Sequence, residues 1–246
     1  MLKNVHPEME KALESLLIKD KKNLNMTRIE EMFEAGVHYG YSKTRRHPST
    51  AKFIYTTKNK NDIIDIEHTD RMLADAESAL SGVANTGKVA LIVGTKAEAK
   101  IIVQNLSEKY NLPYVTERWI GGILTNWPEI KKRIARMNDL KEKREKGYFD
   151  IYTKKERLML DREIADMEKK FYGLRDMTKT PDMLIIVDPK KESIATIEAS
   201  KVNIPVIALL NTDCDLKAVD YPILGNDSSV SSTSYIIETL LKQFAK

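Results

Sequence analysis

A chain of 246 residues can bury one sizeable core and carry a smaller appendage. With 42% hydrophobic and 31% charged residues the composition is globular and rich in surface charge, and a net charge of only +4 excludes a polybasic, histone-like chain. The single cysteine, Cys214, excludes an intrachain disulfide and a Cys-based zinc site and fits a reducing compartment.

In chain order, residues 1–26 stand apart. Pro7 to Leu17 predict a short amphipathic helix with Met9, Leu13, Leu16 and Leu17 on one side, and a polar stretch from Lys19 to Asn25 follows. This N-terminus has neither a secretory nor a transit-peptide pattern. No apolar stretch approaches the ~20 residues of a membrane-spanning helix. The expected address is the cytoplasm.

Gly36 to Tyr41 lead into a basic cluster, Lys43-Thr44-Arg45-Arg46-His47-Pro48. Glycine and proline predict a loop, which is either an RNA contact or a solvated basic surface with its tyrosines packed inward. Phe53–Tyr55 and Ile63–Asp65 flank the polar turn Lys58-Asn59-Lys60-Asn61 and predict a small hairpin near the edge of a sheet.

Three apolar runs follow, Val89–Val93, Met183–Val187 and Val206–Leu210, with shorter candidates at Tyr114–Val115 and Ile223–Leu224. None shows polar alternation, as expected of strands buried on both faces of a parallel sheet. Helix candidates at Lys96–Tyr110, Lys190–Val202 and Ser229–Phe244 come after them, so the class is α/β. Directly after Tyr114–Val115 lies Thr116 to Trp127, with paired glycines and the candidate contact pair Arg118-Trp119. Trp119 and Trp127 could instead anchor the core.

From Pro128 to Thr178 there is no strand candidate. Ile130, Ile134 and Met137, then Leu160, Ile164, Met167, Phe171 and Leu174, recur at spacings of three and four. Two narrow apolar stripes with a break between them predict an antiparallel helical hairpin that projects from the sheet. Its first arm is basic, with Lys131, Lys132, Arg133 and Arg136, which suits a polyanion, a protein partner or simply solvent. The expected division is an extension (1–26), a sheet domain (27–127 with 178–246) and a hairpin insertion (128–177).

Catalysis finds little support. The turn Val93-Gly94-Thr95-Lys96 lacks both common phosphate-loop fingerprints. Asp188, Asp213, Asp215 and Asp227 follow apolar runs, where α/β enzymes place their chemistry, yet no base, nucleophile or histidine pair accompanies them.

Several ordered motifs resemble one family. Met32 to Gly40, Arg45-Arg46-His47-Pro48, Val93 to Lys96, Arg118 to Asn126, Gly173 to Met177, Val187 to Glu192, Asn211 to Asp215 and Pro222 to Asp227 are similar to the small-subunit ribosomal protein S-two family, in its bacterial or organellar form. The resemblance runs from about residue 27 to the end. It implies a flavodoxin-like doubly wound parallel sheet with a protruding coiled-coil hairpin, a place between the head and body of the small subunit on 16S-type ribosomal RNA, and support for the mRNA-binding ribosomal protein S-one. Residues expected to contact RNA are Lys43, Arg45, Arg46, His47, Arg118, Trp119, Asn126, Lys131, Lys132, Arg133 and Arg136. No catalytic residue, metal or cofactor is expected. Tyr41 stands where bacterial members commonly carry a second histidine.

Overall fold

The computed structural model describes residues 27–245. The expected amphipathic helix at 7–17 and the boundary at 26 lie outside them.

Thr27 opens α1 (Arg28–Glu34) with a reciprocal cap, in which the Glu30 N–H donates to the Thr27 hydroxyl and the Glu30 carboxylate accepts from the Thr27 N–H at 2.8 Å. Next come β1 (Tyr39–Ser42), β2 (Ile54–Lys58) and β3 (Asn61–Ile64). The β2–β3 turn places Asn59 and Lys60 at φ of 51° and 65°, the paired positive values of a two-residue hairpin. This hairpin does not edge the main sheet, as the sequence suggested. With β1 it forms a separate antiparallel sheet in the order β1-β3-β2. The basic segment is also more regular than a loop, with one 3-10 turn at Lys43–Arg45 and another at Pro48–Phe53.

Asp65 caps α2 (Ile66–Asn85), which buries Thr69, Leu73, Ala76, Leu80 and Val83 at helical spacing. Strands β4 (Ala90–Val93), β5 (Tyr114–Val115), β6 (Met183–Val187), β7 (Val206–Leu210) and β8 (Tyr221–Leu224) pair in parallel in the order β5-β4-β6-β7-β8. This is the 2-1-3-4-5 order of flavodoxin-like sheets.

Successive strand residues serve opposite faces. Leu91, Val93, Leu184, Ile186, Ala208 and Leu210 join one core, and Ala90, Ile92, Ile185, Val187, Ile207 and Leu209 the other. Both faces are apolar because both are covered, which is why the runs lack alternation. The second core is completed by α2, α3 (Ala97–Tyr110) and α7 (Val230–Leu241). The first takes Ala195 and Ala199 from α6 (Ser193–Lys201), the 119–124 segment, and the start of α4 (Trp127–Glu145).

Helix α4 begins with Pro128 in its first turn, where a missing N–H costs nothing. A short turn leads to α5 (Lys154–Phe171), whose start carries a second capping box, Thr153 with Glu156. The two helices are joined by ion pairs, Arg136 with Glu163 at 2.8 Å and Lys141 with Glu168. Ile130, Ile134, Met137, Phe171 and Leu174 are buried in the same core as the sheet face. The Trp127 indole donates to the Thr178 carbonyl at 3.4 Å, tying the two ends of this excursion together.

Candidate nucleic-acid interface

The carboxyl ends of the strands are where an α/β enzyme would work, and here they are filled. Chain from the small sheet lies across them. Tyr41 N–H donates to the Thr212 hydroxyl at 3.0 Å, His47 N–H to the Thr212 carbonyl at 2.8 Å, and Asn226 N–H to the Val37 carbonyl at 2.9 Å. The approach requires Gly40, since a Cβ there would sit 2.7 Å from the Thr212 methyl.

The strand-end acids are neutralised internally. Lys96 Nζ lies 2.9 Å from Asp227, 3.4 Å from Asp188 and 3.1 Å from the Tyr41 hydroxyl. Burial alone would lower the Lys96 pKa, but its hydrogen bonds to Asp227 and Tyr41 and the two carboxylate charges outweigh that and raise it. Asp213 accepts from both Arg45, at 3.1 Å, and Lys190, at 3.0 Å. Asp215 caps the short turn at Leu216–Ala218. Burial, reinforced by the charges of Asp213 and Asp188, pushes the Cys214 thiol up to about 12, so no thiolate nucleophile forms at neutral pH. The Val93–Lys96 turn directs its lysine at carboxylates rather than at a phosphate. Among the described residues, no group of three or more His, Cys, Asp or Glu could hold a metal.

The basic cluster at 43–47 divides. Lys43 is exposed and has no ion pair among the described residues. Arg45 keeps about half its side chain exposed, with its guanidinium 4.2 Å above the Tyr41 ring. Arg46 is committed to Asp62, which is fully buried. The His47 ring accepts from Ser49 N–H at 3.3 Å and caps the turn that follows. Arg46 and His47 therefore shape the backbone, and reversing the charge of Arg46 would disturb the fold as well as any surface contact.

In the 116–127 segment, Arg118 and Asn126 are exposed. Trp119 is only 5% exposed, which leaves little ring surface for a base, and its indole donates to Glu198 at 3.4 Å. Trp127 is likewise buried. Sequence reasoning missed Glu198, the residue that organises this loop. From α6 its carboxylate accepts from Gly122 N–H at 2.7 Å, Leu124 N–H at 3.2 Å and the Thr125 hydroxyl at 3.4 Å. Gly122, at φ 98°, turns the backbone so that these N–H groups converge. A charged residue beside Ala195 and Ala199 on the buried side of a helix was the available signal.

On α4, Lys131, Lys132, Arg133 and Arg136 are all exposed. Lys132 pairs with Glu129 at 2.6 Å and Arg136 with Glu163, while Lys131 and Arg133 make no ion pair among the described residues. Arg118, Asn126, Lys131 and Arg133 thus present polar and cationic groups within sixteen residues of one another, on a loop fixed from behind and the helix it opens. Multiple exposed cations on a fixed frame suit phosphate contact.

Fold and site together define a doubly wound α/β protein whose strand ends are closed by internal salt bridges and whose open chemistry is cationic surface. Comparison with known proteins agrees. Residues 32–246 match the family described as ribosomal protein S2, and the chain belongs to that family, whose members are structural ribosomal proteins and not enzymes. It is 41% identical over 212 residues to small ribosomal subunit protein uS2 of Chlorobaculum tepidum, covering 86% of this chain and 85% of the relative. It is also 41% identical to uS2 of Helicobacter hepaticus, over 84% of this chain and 78% of that one. Small ribosomal subunit protein uS2c of Trieres chinensis is 37% identical, over 86% and 93% respectively.

Proposed function

We propose that this protein is an architectural component of the small ribosomal subunit that binds 16S-type RNA between head and body. Lys43, Arg45, Arg118, Asn126, Lys131, Lys132, Arg133 and Arg136 are the proposed contacts. Arg46, His47 and Trp119 hold the frame behind them. The observation that carries the reading is the exposed cation set of Arg118, Lys131 and Arg133, which has no ion pair among the described residues, on a chain that belongs to this family. Such cations displace counterions from RNA and read its shape more than its sequence.

In this reading residues 128–177 form an antiparallel coiled-coil hairpin projecting from a sheet domain of residues 27–127 and 178–246, and residues 1–26 are a separate extension. The protein acts in the cytoplasm, within the ribosome. Support for the mRNA-binding protein S-one fits the connection into α5 and the start of that helix, where Ile151 before the helix is 84% exposed and Leu158 and Met159 within it are 50% and 61% exposed. Exposed apolar groups this concentrated suit a protein partner.

Sedimentation tests the role. The full chain carrying Lys131→Glu and Arg133→Glu is expected to fold normally but to enter small subunits poorly as salt rises, with its RNA affinity falling on the order of one log-salt unit less steeply per lost contact. Wild-type incorporation by that variant at all salt concentrations would remove Lys131 and Arg133 from the interface.

A further inference from the structure

The amino end of the sheet, opposite the salt-bridged strand ends, holds an open cavity of about 520 Å³. That size lies within the ~300–1,000 Å³ of small-ligand sites. Ser107 and Glu108 line it from the end of α3, Tyr114 from β5, and Tyr172, Arg175 and Lys179 from the chain returning after α5.

Its polar groups are arranged for a ligand. Ser107 is a lining residue, and its buried hydroxyl has no hydrogen-bond partner among the described residues. A buried hydroxyl left so pays its desolvation without return. Glu108 receives the Tyr114 hydroxyl at 2.8 Å and the Gln104 amide at 3.2 Å, both on Oε1, which leaves Oε2 for another donor. At the rim the Arg175 guanidinium lies 4.4 Å over the Tyr172 ring and remains about half exposed. Asp176 takes one of its donors at 3.1 Å, and Lys179 pairs with Asp182 at 3.2 Å.

We propose that this cavity receives a single unpaired nucleotide, its amino-bearing base edge on Glu108 and Ser107 and its phosphate toward Arg175. The inference rests on the RNA-binding reading and extends it to one site. Glu108 Oε2 accepts an exocyclic amino group, and the Ser107 hydroxyl donates to an adjacent ring acceptor. Arg175, held flat by Tyr172, serves the phosphate or stacks on the base. Adenine, cytosine and guanine offer an amino group, whereas uracil has none and offers the carboxylate only its N3–H, flanked by two carbonyl oxygens, and is disfavoured.

The full chain is titrated with GMP, AMP, CMP and UMP, following the backbone amide resonances of Ser107 and Gly173, and its affinity for small-subunit ribosomal RNA is measured in parallel. The three amino-bearing nucleotides are expected to shift those resonances, with UMP weaker by about tenfold. Glu108→Gln should erase that preference, and Ser107→Ala should weaken nucleotide binding while leaving the fold as stable as before. Arg175→Gln should weaken RNA binding by about fivefold if the nucleotide comes from an RNA strand. Nucleotide shifts with unchanged RNA affinity in Arg175→Gln would keep the site and assign it to free nucleotides. If wild type binds RNA but no nucleotide shifts these resonances and no variant changes affinity, the cavity proposal is overturned and the RNA role survives. Failure of wild type to bind RNA would end that role, and the nucleotide titration alone would then decide the cavity.

Discussion

Arg46 clasps Asp62 with both carboxylate oxygens engaged, Nε donating to Oδ2 at 2.6 Å and a terminal nitrogen to Oδ1. Asp62 has no exposed surface, and Thr57 donates to it as well, at 2.9 Å. The pair joins the basic segment to β3 and so fixes the small sheet that closes the strand ends.

Removing Arg46 strands a buried carboxylate. Arg46→Ala is expected to cost ~3–5 kcal/mol in urea unfolding, well beyond the loss from Lys43→Ala on the exposed surface. Burial would raise the Asp62 pKa, but Arg46 and Thr57 hydrogen bonds and the Arg46 and Lys43 charges together hold it below the ordinary 3.8. A carboxylate depressed in the fold stabilises fully above its unfolded pKa, and that contribution drains away as pH falls through the lower folded value. The stability gap between wild type and Asp62→Asn should therefore narrow below about pH 4, and a gap that widened there would contradict this account.

Lys96 is the counter-charge for two acids at once. Lys96→Met should destabilise by ~3–5 kcal/mol by leaving Asp188 and Asp227 facing one another, and adding Asp227→Asn should restore part of the loss. The raised lysine pKa places its stabilisation wholly below the ordinary value of 10.5 and removes it only as pH climbs past that toward the folded value. Thermal unfolding of the single and double variants gives the coupling, and strict additivity would mean the contact is incidental.

Glu198 supports the candidate interface without reaching it. Glu198→Gln replaces one accepting oxygen with a donor that faces the N–H groups of Gly122 and Leu124, at a cost of ~1–3 kcal/mol. Faster hydrogen exchange at those two amides, accompanied by weaker RNA binding, is the expected result. Unchanged exchange would show that the loop holds its shape without the carboxylate.

Gly173 lets the returning chain pass β5. A Cβ at this position would strike the Tyr114 carbonyl and stand 2.7 Å from its ring. Gly173→Ala should lower stability by ~1–3 kcal/mol through overpacking, whereas Gly87→Ala meets no neighbour and loses only what its φ of 65° costs. Calorimetric midpoints for the two variants provide the comparison.

The sequence alone established the parallel sheet and the helical character of α4 and α5. Val89–Val93, Met183–Val187 and Val206–Leu210 could be read because a strand buried on both faces must be apolar at every position, and that is a local property. The stripe of Ile130, Ile134 and Met137 was readable for the same reason, since helical spacing writes burial directly into the chain. Helix α2 and the capping box at Thr27 went unread although their signals, Asp65 and Glu30, were present.

Which charges stay free was decided only by the tertiary structure. Arg45, Arg46 and Lys131 are alike as residues in a sequence, yet Asp213 and Asp62 claim the first two while Lys131 has no ion pair among the described residues. Those acids lie 168 and 16 residues away from their arginines, so the pairing comes from how the chain packs. Burial of Trp119 against Glu198 has the same origin, a contact across 79 residues. Periodicity follows from neighbours along the backbone. Charge neutralisation depends on distances of about 3 Å between segments that only folding brings together, because a hydrogen bond needs contact and exposed charges are screened from one another beyond about 10 Å.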